Sequence, residues 1–137
     1  MTRIHLSLRT PNLPETAAFY TELFGEPDKV HEDYIRFMPK DVPILLSLVP
    51  GEPAVDHLGV RVDDPAVLAQ QAARLGATPN EGVVCCHAQK DELWRMDPDG
   101  RPWELYAVTN EAPAEAPTER ASACCPTATP DAVPGCC

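Results

Sequence analysis

An α+β fold of two βαβββ modules, whose strands form one curved mixed sheet around a metal-binding cleft, is what this sequence predicts. Three observations predict it. A short strand carrying a histidine occurs twice, as Ile4-His5-Leu6-Ser7-Leu8 and as Asp56-His57-Leu58-Gly59-Val60, with the two histidines 52 positions apart. Each strand is followed by a capped amphipathic helix, and each helix by further strand-like runs. Within the strands, apolar residues alternate with ligand-type residues, so the two kinds fall on opposite faces. At 137 residues the chain can bury the core of one domain.

The elements follow in order. After the first strand, Asn12 caps a helix with Glu15 three residues on, and Gly25 stops it. Runs at 34–38 and 44–49 then read as strands, with His31 in a loop before them. In the second module Asp64 is the cap, Pro65 occupies the first turn and Gly76 terminates the helix. Leu68, Ala72 and Leu75 give that helix an apolar stripe. Strand-like runs at 83–86, 92–96 and 103–108 close the module, and Asp97-Pro98-Asp99-Gly100 turns the chain between the last two. The domain therefore covers 1–110, with modules of about 1–52 and 53–110. Residues 111–137 hold Pro113, Pro117, Pro126, Pro130 and Pro134 without apolar periodicity, the composition of a disordered tail.

Composition excludes some functions. A net charge of −10 argues against nucleic acid, since phosphate binding needs clustered Lys and Arg. The N-terminal residues lack a continuous apolar stretch, and Ile44–Val49 is too short to span a bilayer. The expected location is cytoplasmic, where thiols stay reduced. The six cysteines form three adjacent pairs, Cys85-Cys86, Cys124-Cys125 and Cys136-Cys137. A disulfide between neighbours closes almost no loop and cannot staple a fold. The pairs read as soft-metal ligands or redox thiols.

The strand faces carry the chemistry. Ile4, Leu6 and Leu8 share one face of the first strand and His5 the other. Leu58, Val60 and Val62 face away from His57, and Trp103, Leu105 and Ala107 away from Glu104. With the apolar faces on the helices, His5, His57 and Glu104 project from the opposite face, and a curved sheet brings them together. A lone strand histidine is usually incidental. Two at equivalent positions of a duplication, with a carboxylate on the final strand, point to a metal. Two imidazoles and one carboxylate leave open positions and suit Fe(II) that takes both O2 and substrate.

The segments Ala18-Phe19-Tyr20-Thr21-Glu22-Leu23-Phe24-Gly25 and Asp97-Pro98-Asp99-Gly100-Arg101-Pro102-Trp103-Glu104-Leu105-Tyr106 resemble the vicinal-oxygen-chelate (glyoxalase/bleomycin-resistance/extradiol-dioxygenase) superfamily over residues 1–110. The resemblance implies paired modules around a metal held by His5, His57 and Glu104. Glyoxalases of that superfamily add a ligand from the last strand of the first module. Here Ile44-Leu45-Leu46-Ser47-Leu48-Val49 offers none, which favours the three-ligand iron subset. The run Cys85-Cys86-His87-Ala88-Gln89-Lys90-Asp91-Glu92-Leu93-Trp94 resembles the vicinal-cysteine segment of the ArsI carbon–arsenic lyases and of CadI.

That branch implies a trivalent organoarsenical substrate bound by Cys85 and Cys86, with Fe(II)- and O2-dependent cleavage to inorganic arsenite as detoxification. Because neighbouring strand residues point to opposite faces, the pair is expected in a loop or an irregular strand end. His87 stands where similar proteins carry an aromatic and reads as a surface residue. The tail pairs could capture arsenicals on a tether or serve as a passive soft-metal trap. Superfamily members often pair chains, which implies a homodimer. Two alternatives stay open: an extradiol-type dioxygenase, which needs the triad and no thiols, and a non-catalytic cadmium-, arsenic- or drug-binding resistance protein.

Overall fold

The computed structural model describes residues 1–113. The elements are β1 (Arg3–Thr10), α1 (Leu13–Phe24), β2 (Lys29–His31), β3 (Tyr34–Phe37), β4 (Ile44–Pro50), β5 (Ala54–Val62), α2 (Pro65–Arg74), β6 (Asn80–Cys85), β7 (Ala88–Met96) and β8 (Pro102–Asn110). The strands form one sheet in the order β2-β3-β4-β1-β5-β8-β7-β6. Each half repeats one pattern. The first strand pairs in parallel with the last strand of its own module, β1 with β4 and β5 with β8, and the rest of the module is antiparallel. The two halves join where β1 meets β5 antiparallel. The duplication read from His5 and His57 is thus a structural one, an α+β fold with a single curled sheet.

Capping chemistry sets the helix starts as expected. The Asn12 side chain accepts from the Glu15 N–H, and Asp64 accepts from the Ala66 N–H. Leu13 and Ala17 of α1 pack with Ile35, Phe37, Leu46 and Leu48, while Leu6 and Leu8 of β1 border the cluster. Under α2, Leu68 packs with Val62 and Ala107, bordered by Val60 and Leu105. The helices therefore cover the apolar face, and the histidine face turns inward. Among the described residues no helix is long and apolar enough to cross a membrane.

Four expectations are corrected. His31 lies in a strand, β2, a short edge strand whose Lys29 and Val30 carry no apolar alternation. Ile4 is 50% exposed and lies outside the core cluster under α1 that Leu6 and Leu8 border. Leu75, expected on the α2 stripe, is the C-cap and is 48% exposed. The strand expected to start at Glu92 begins at Ala88, because Cys85 pairs with Ala88 and the chain reverses at Cys86-His87. Both turn residues have positive φ, 54° and 63°, as a two-residue hairpin turn of the right twist requires.

The curl closes the concave side. Cys85 packs on Tyr34 and Val49 of the other module, bordered by Val83 and Cys86. At the rim the His31 and His87 rings stack at 3.6 Å, and Lys29 Nζ donates to the His87 carbonyl at 2.9 Å. The β2–β3 and β6–β7 hairpins thereby meet over the inner face of the sheet, and the cleft lies beneath them.

Candidate functional site

The sheet register places the triad. His5 of β1 and Glu104 of β8 both lie opposite Gly59 of β5, one on each side. Glycine at the middle of that row leaves the space between the two side chains open. A Cβ at position 59 would stand 2.5 Å from the Glu104 carbonyl oxygen, so no larger residue fits. Gly59→Ala is expected to force β5 and β8 apart, costing about 1–3 kcal/mol, as overpacking does, and weakening metal uptake. Thermal unfolding together with a metal titration checks both effects.

His57 precedes Gly59 by two residues and so faces the same side. The ligating atoms of His5, His57 and Glu104 all lie within 4.8 Å of one another, and all three residues are buried. His5 Nδ1 is 3.5 Å and His57 Nε2 is 3.4 Å from Glu104 Oε2. Both contacts are longer than a good hydrogen bond, and both nitrogens are buried without a hydrogen-bond partner. Buried imidazole nitrogens are rarely left this way. A cation between them and Glu104 would satisfy all three, so the residues present fit a metal.

The outer nitrogen of each ring is held. His5 Nε2 lies 3.0 Å from Ser47 Oγ, and His57 Nδ1 lies 2.8 Å from Asp56 Oδ2. Asp56 in turn faces Arg9 Nε at 3.3 Å. On a regular strand Asp56 and His57 would point to opposite faces, but the β1–β5 pairing slips here. Ser7 pairs with His57 and Leu8 with Val55, leaving Asp56 as an extra, bulged residue. The bulge turns the carboxylate toward the ring beside it. Such outer partners orient metal-binding imidazoles and raise their basicity. Asp56→Asn is expected to weaken metal binding about 10–100-fold, read by competition with a chelating dye.

Electrostatics favour the forms a metal needs at His5 and Glu104. At His57 burial lowers the imidazole pKa, but the Asp56 and Glu104 carboxylates outweigh it and raise it, so a metal there displaces a proton. Burial, with the neighbouring His57 and against the pull of Glu104, brings His5 down to about 4, so the ring is neutral at pH 7. Burial alone would raise the Glu104 carboxyl. The Lys90 ammonium and the two imidazoles outweigh it and hold Glu104 well below the usual carboxylate range. Burial pushes the Tyr34 hydroxyl up to about 12, so it stays protonated.

Cys85, the last residue of β6, is fully buried, and Cys86 is the first residue of the turn. The positive φ of Cys86 breaks the strand alternation, and the two Sγ atoms lie 3.0 Å apart. Both residues line the same cleft as His5, His57 and Glu104, with Tyr34, Arg36, Lys90 and Tyr106 on its walls. The pair thus stands at an irregular strand end, as expected. Cys124, Cys125, Cys136 and Cys137 lie outside the described residues.

Residues 4–106 match the glyoxalase-like domain family. The chain belongs to that family. Within it, the chain is 39% identical to a trivalent organoarsenical cleaving enzyme of Thermomonospora curvata over 92% of its own length and 90% of that protein. It is 36% identical to the cadmium-induced protein CadI of Mycobacterium tuberculosis over 79% of its own length and 77% of that protein. Among solved structures it superposes on an extradiol ring-cleaving dioxygenase from B. fuscum with a TM-score of 0.59 and 22% identity, covering 79% of this chain and 33% of that one. A glyoxalase/bleomycin resistance protein/dioxygenase superfamily member from Vibrio splendidus gives 0.53 and 16%, covering 79% and 99%. These two show the fold. The two modules of this sheet explain why two histidines at equivalent positions meet across the joint between β1 and β5.

Several residues of the site escape sequence reasoning. Ser47 and Asp56 are outer partners whose roles depend on pairing and on the bulge. Lys90 and Glu92 had a readable signal: Lys90, Glu92 and Trp94 alternate on the strand that faces Glu104. Glu111, which sequence composition puts in the tail, accepts from Arg61 at 2.5 Å and Arg36 at 2.9 Å. That clamp ties the last described residues to the rim of the cleft.

Proposed function

We propose that this chain is an Fe(II)- and O2-dependent carbon–arsenic lyase that converts trivalent methyl- or aryl-arsenicals to inorganic arsenite. One observation carries the reading. A hard, open triad and a pair of soft cysteine sulfurs line a single cleft, and the relatives named above include a protein called trivalent organoarsenical cleaving enzyme. The triad suits a cation that must keep positions free, and the thiols suit a thiophilic centre.

His5, through Nδ1, His57, through Nε2, and Glu104 would hold the iron. When bound there, Fe(II) supplies the activation of O2 that oxidative cleavage requires. In their reduced, dithiol form Cys85 and Cys86 each replace one oxygen ligand of the trivalent arsenic, and each displaced hydroxide leaves as water with the thiol proton. Because the two sulfurs are neighbours in space as well as in sequence, one arsenic atom bridges them, and its carbon substituent is retained. Tyr34 and Tyr106, buried and protonated, wall the cleft and exclude water from it. Holding substrate and metal in one cavity makes their encounter intramolecular.

The cysteine pair in the cleft, with the likeness to a protein named as cadmium-induced, favours one second reading, a protein that binds soft metal without turnover. Aerobic incubation with methylarsenite and Fe(II) separates them. The lyase releases arsenite over many turnovers and stops when O2 is removed. Stoichiometric binding without arsenite release would indicate the binding protein. Turnover that survives Cys85→Ser would indicate an enzyme with a different substrate site.

A further inference from the structure

We propose that Lys90 is a positioning residue that confines Glu104 to a single ligating oxygen and so keeps a position on the metal open. The inference rests on the metal reading above and concerns a residue outside the triad.

Strand register sets the geometry. On β7, Lys90, Glu92 and Trp94 share the cleft face, opposite Val108, Tyr106 and Glu104 of β8 respectively. To meet Glu104, the Lys90 side chain runs back along the sheet across Tyr106, and its Nζ lies 5.2 Å from the centre of that ring. There it contacts Glu104 Oε1, and it lies 3.0 Å from Glu92 Oε2. Lys90, Glu92 and Glu104 are all buried, at 4%, 1% and 1% exposure. An ammonium so enclosed is tolerated only with its charge matched. Glu104 and Glu92 match it from two sides, and Lys90 is the cation that Glu92 faces.

The consequence falls on Glu104. Its two oxygens are divided: Oε2 faces the unpartnered nitrogens of His5 and His57, and Oε1 faces Lys90. A carboxylate with both oxygens free can take two coordination positions. With Oε1 held by an ammonium it takes one. On a six-coordinate cation the triad then fills about half the positions, leaving room for more than one further ligand. Glu92 completes the device: it offsets the lysine's charge, and the shared ammonium keeps its carboxylate from swinging to the metal.

The test uses Mn(II) alone as probe, on the full chain. Water-proton relaxation per bound ion counts exchangeable waters, and the titration gives affinity. Wild type should bind one Mn(II). In Lys90→Met the freed Oε1 displaces a water, so the relaxation per bound ion should fall by roughly one third, one of about three open positions. Affinity should tighten about tenfold, the lower end of what outer partners change, whereas a merely structural residue would weaken it. Lys90→Arg keeps the cation and should keep the wild-type relaxation. The double variant Lys90→Met/Glu92→Met removes a buried charge together with a partner, an exchange that proteins often tolerate. It should show the same fall, which assigns the lost water to Glu104 and decides the matter should the single variant not fold. Unchanged relaxation in the methionine variants, or an equal fall in Lys90→Arg, overturns the proposal while leaving the metal site standing. No Mn(II) uptake by wild type, or undiminished uptake by His57→Ala, overturns the metal reading and this inference with it.

Discussion

Replacing His57 with alanine should abolish organoarsenical cleavage and reduce metal affinity by about 100-fold or more, since losing even an outer partner costs 10–100-fold. The triad is the one group of three or more metal-ligating side chains within 4.8 Å among the described residues. It has no spare donor: Ser47 and Asp56 are committed to the outer nitrogens, and Glu104 Oε1 to Lys90. The fold should survive. His57 sits on the cleft face of β5, while the packing under α2 comes from Val62, Leu68 and Ala107. Asp56 keeps Arg9 as a partner when the imidazole is gone. Circular dichroism and a thermal scan check the fold, a chelator competition the affinity, and arsenite release the activity. Wild-type turnover in the folded variant would rule out the triad.

The second large effect separates the cysteine pairs. Cys85→Ser should abolish capture of the arsenical in the cleft, with turnover lost at every substrate concentration. A hydroxyl does not replace a thiolate on a soft centre. Metal binding should persist, because no thiol belongs to the triad. Truncation after Pro113 should behave differently. It keeps Glu111 and its clamp to Arg36 and Arg61, keeps Cys85 and Cys86, and should retain full turnover at saturating substrate. If the tail cysteines deliver arsenicals on a tether, the truncated chain loses efficiency at low substrate only. Arsenite release against substrate concentration for the two variants decides it. Loss of all turnover on truncation, with Cys85→Ser active, would make the tail cysteines the substrate ligands.

The parts of this molecule that were legible in sequence are those specified locally. Asn12 and Asp64 cap their helices through hydrogen bonds to backbone N–H groups two or three residues on, so the signal and its effect lie in the same few residues. The period-two alternation of β1, β5 and β8 put His5, His57 and Glu104 on one face before any pairing was known. What it could not supply is the row His5-Gly59-Glu104, which needs the register of three strands.

The features that escaped depend on pairing or on unusual backbone. The hairpin turn at Cys86-His87 uses positive φ at two residues where Asn-Gly is the usual signal, so the sequence pattern places the start of β7 later than it lies. Strand β2 is three residues long, and its neighbour β3 alone holds it in the sheet. Asp56 reaches His57 only because β5 carries one residue too many opposite Ser7 and Leu8. Alternation puts Lys90, Glu92 and Trp94 on one face of β7, but the burial of that face against Glu104 depends on the curl of the sheet.

One cleft is expected to hold a sulfur-free metal and a sulfur-bound arsenic at the same time. X-ray absorption at the iron and arsenic edges, on protein loaded without O2 with Fe(II) and methylarsenite, measures both sites in a single sample. The expected result is nitrogen and oxygen neighbours only on iron, imidazole scattering included, and two sulfur neighbours with one carbon on arsenic. The arsenic sulfurs should vanish in Cys85→Ser, and the imidazole signal in His57→Ala. Sulfur in the iron shell, or arsenic without sulfur in a chain truncated after Pro113, would contradict it.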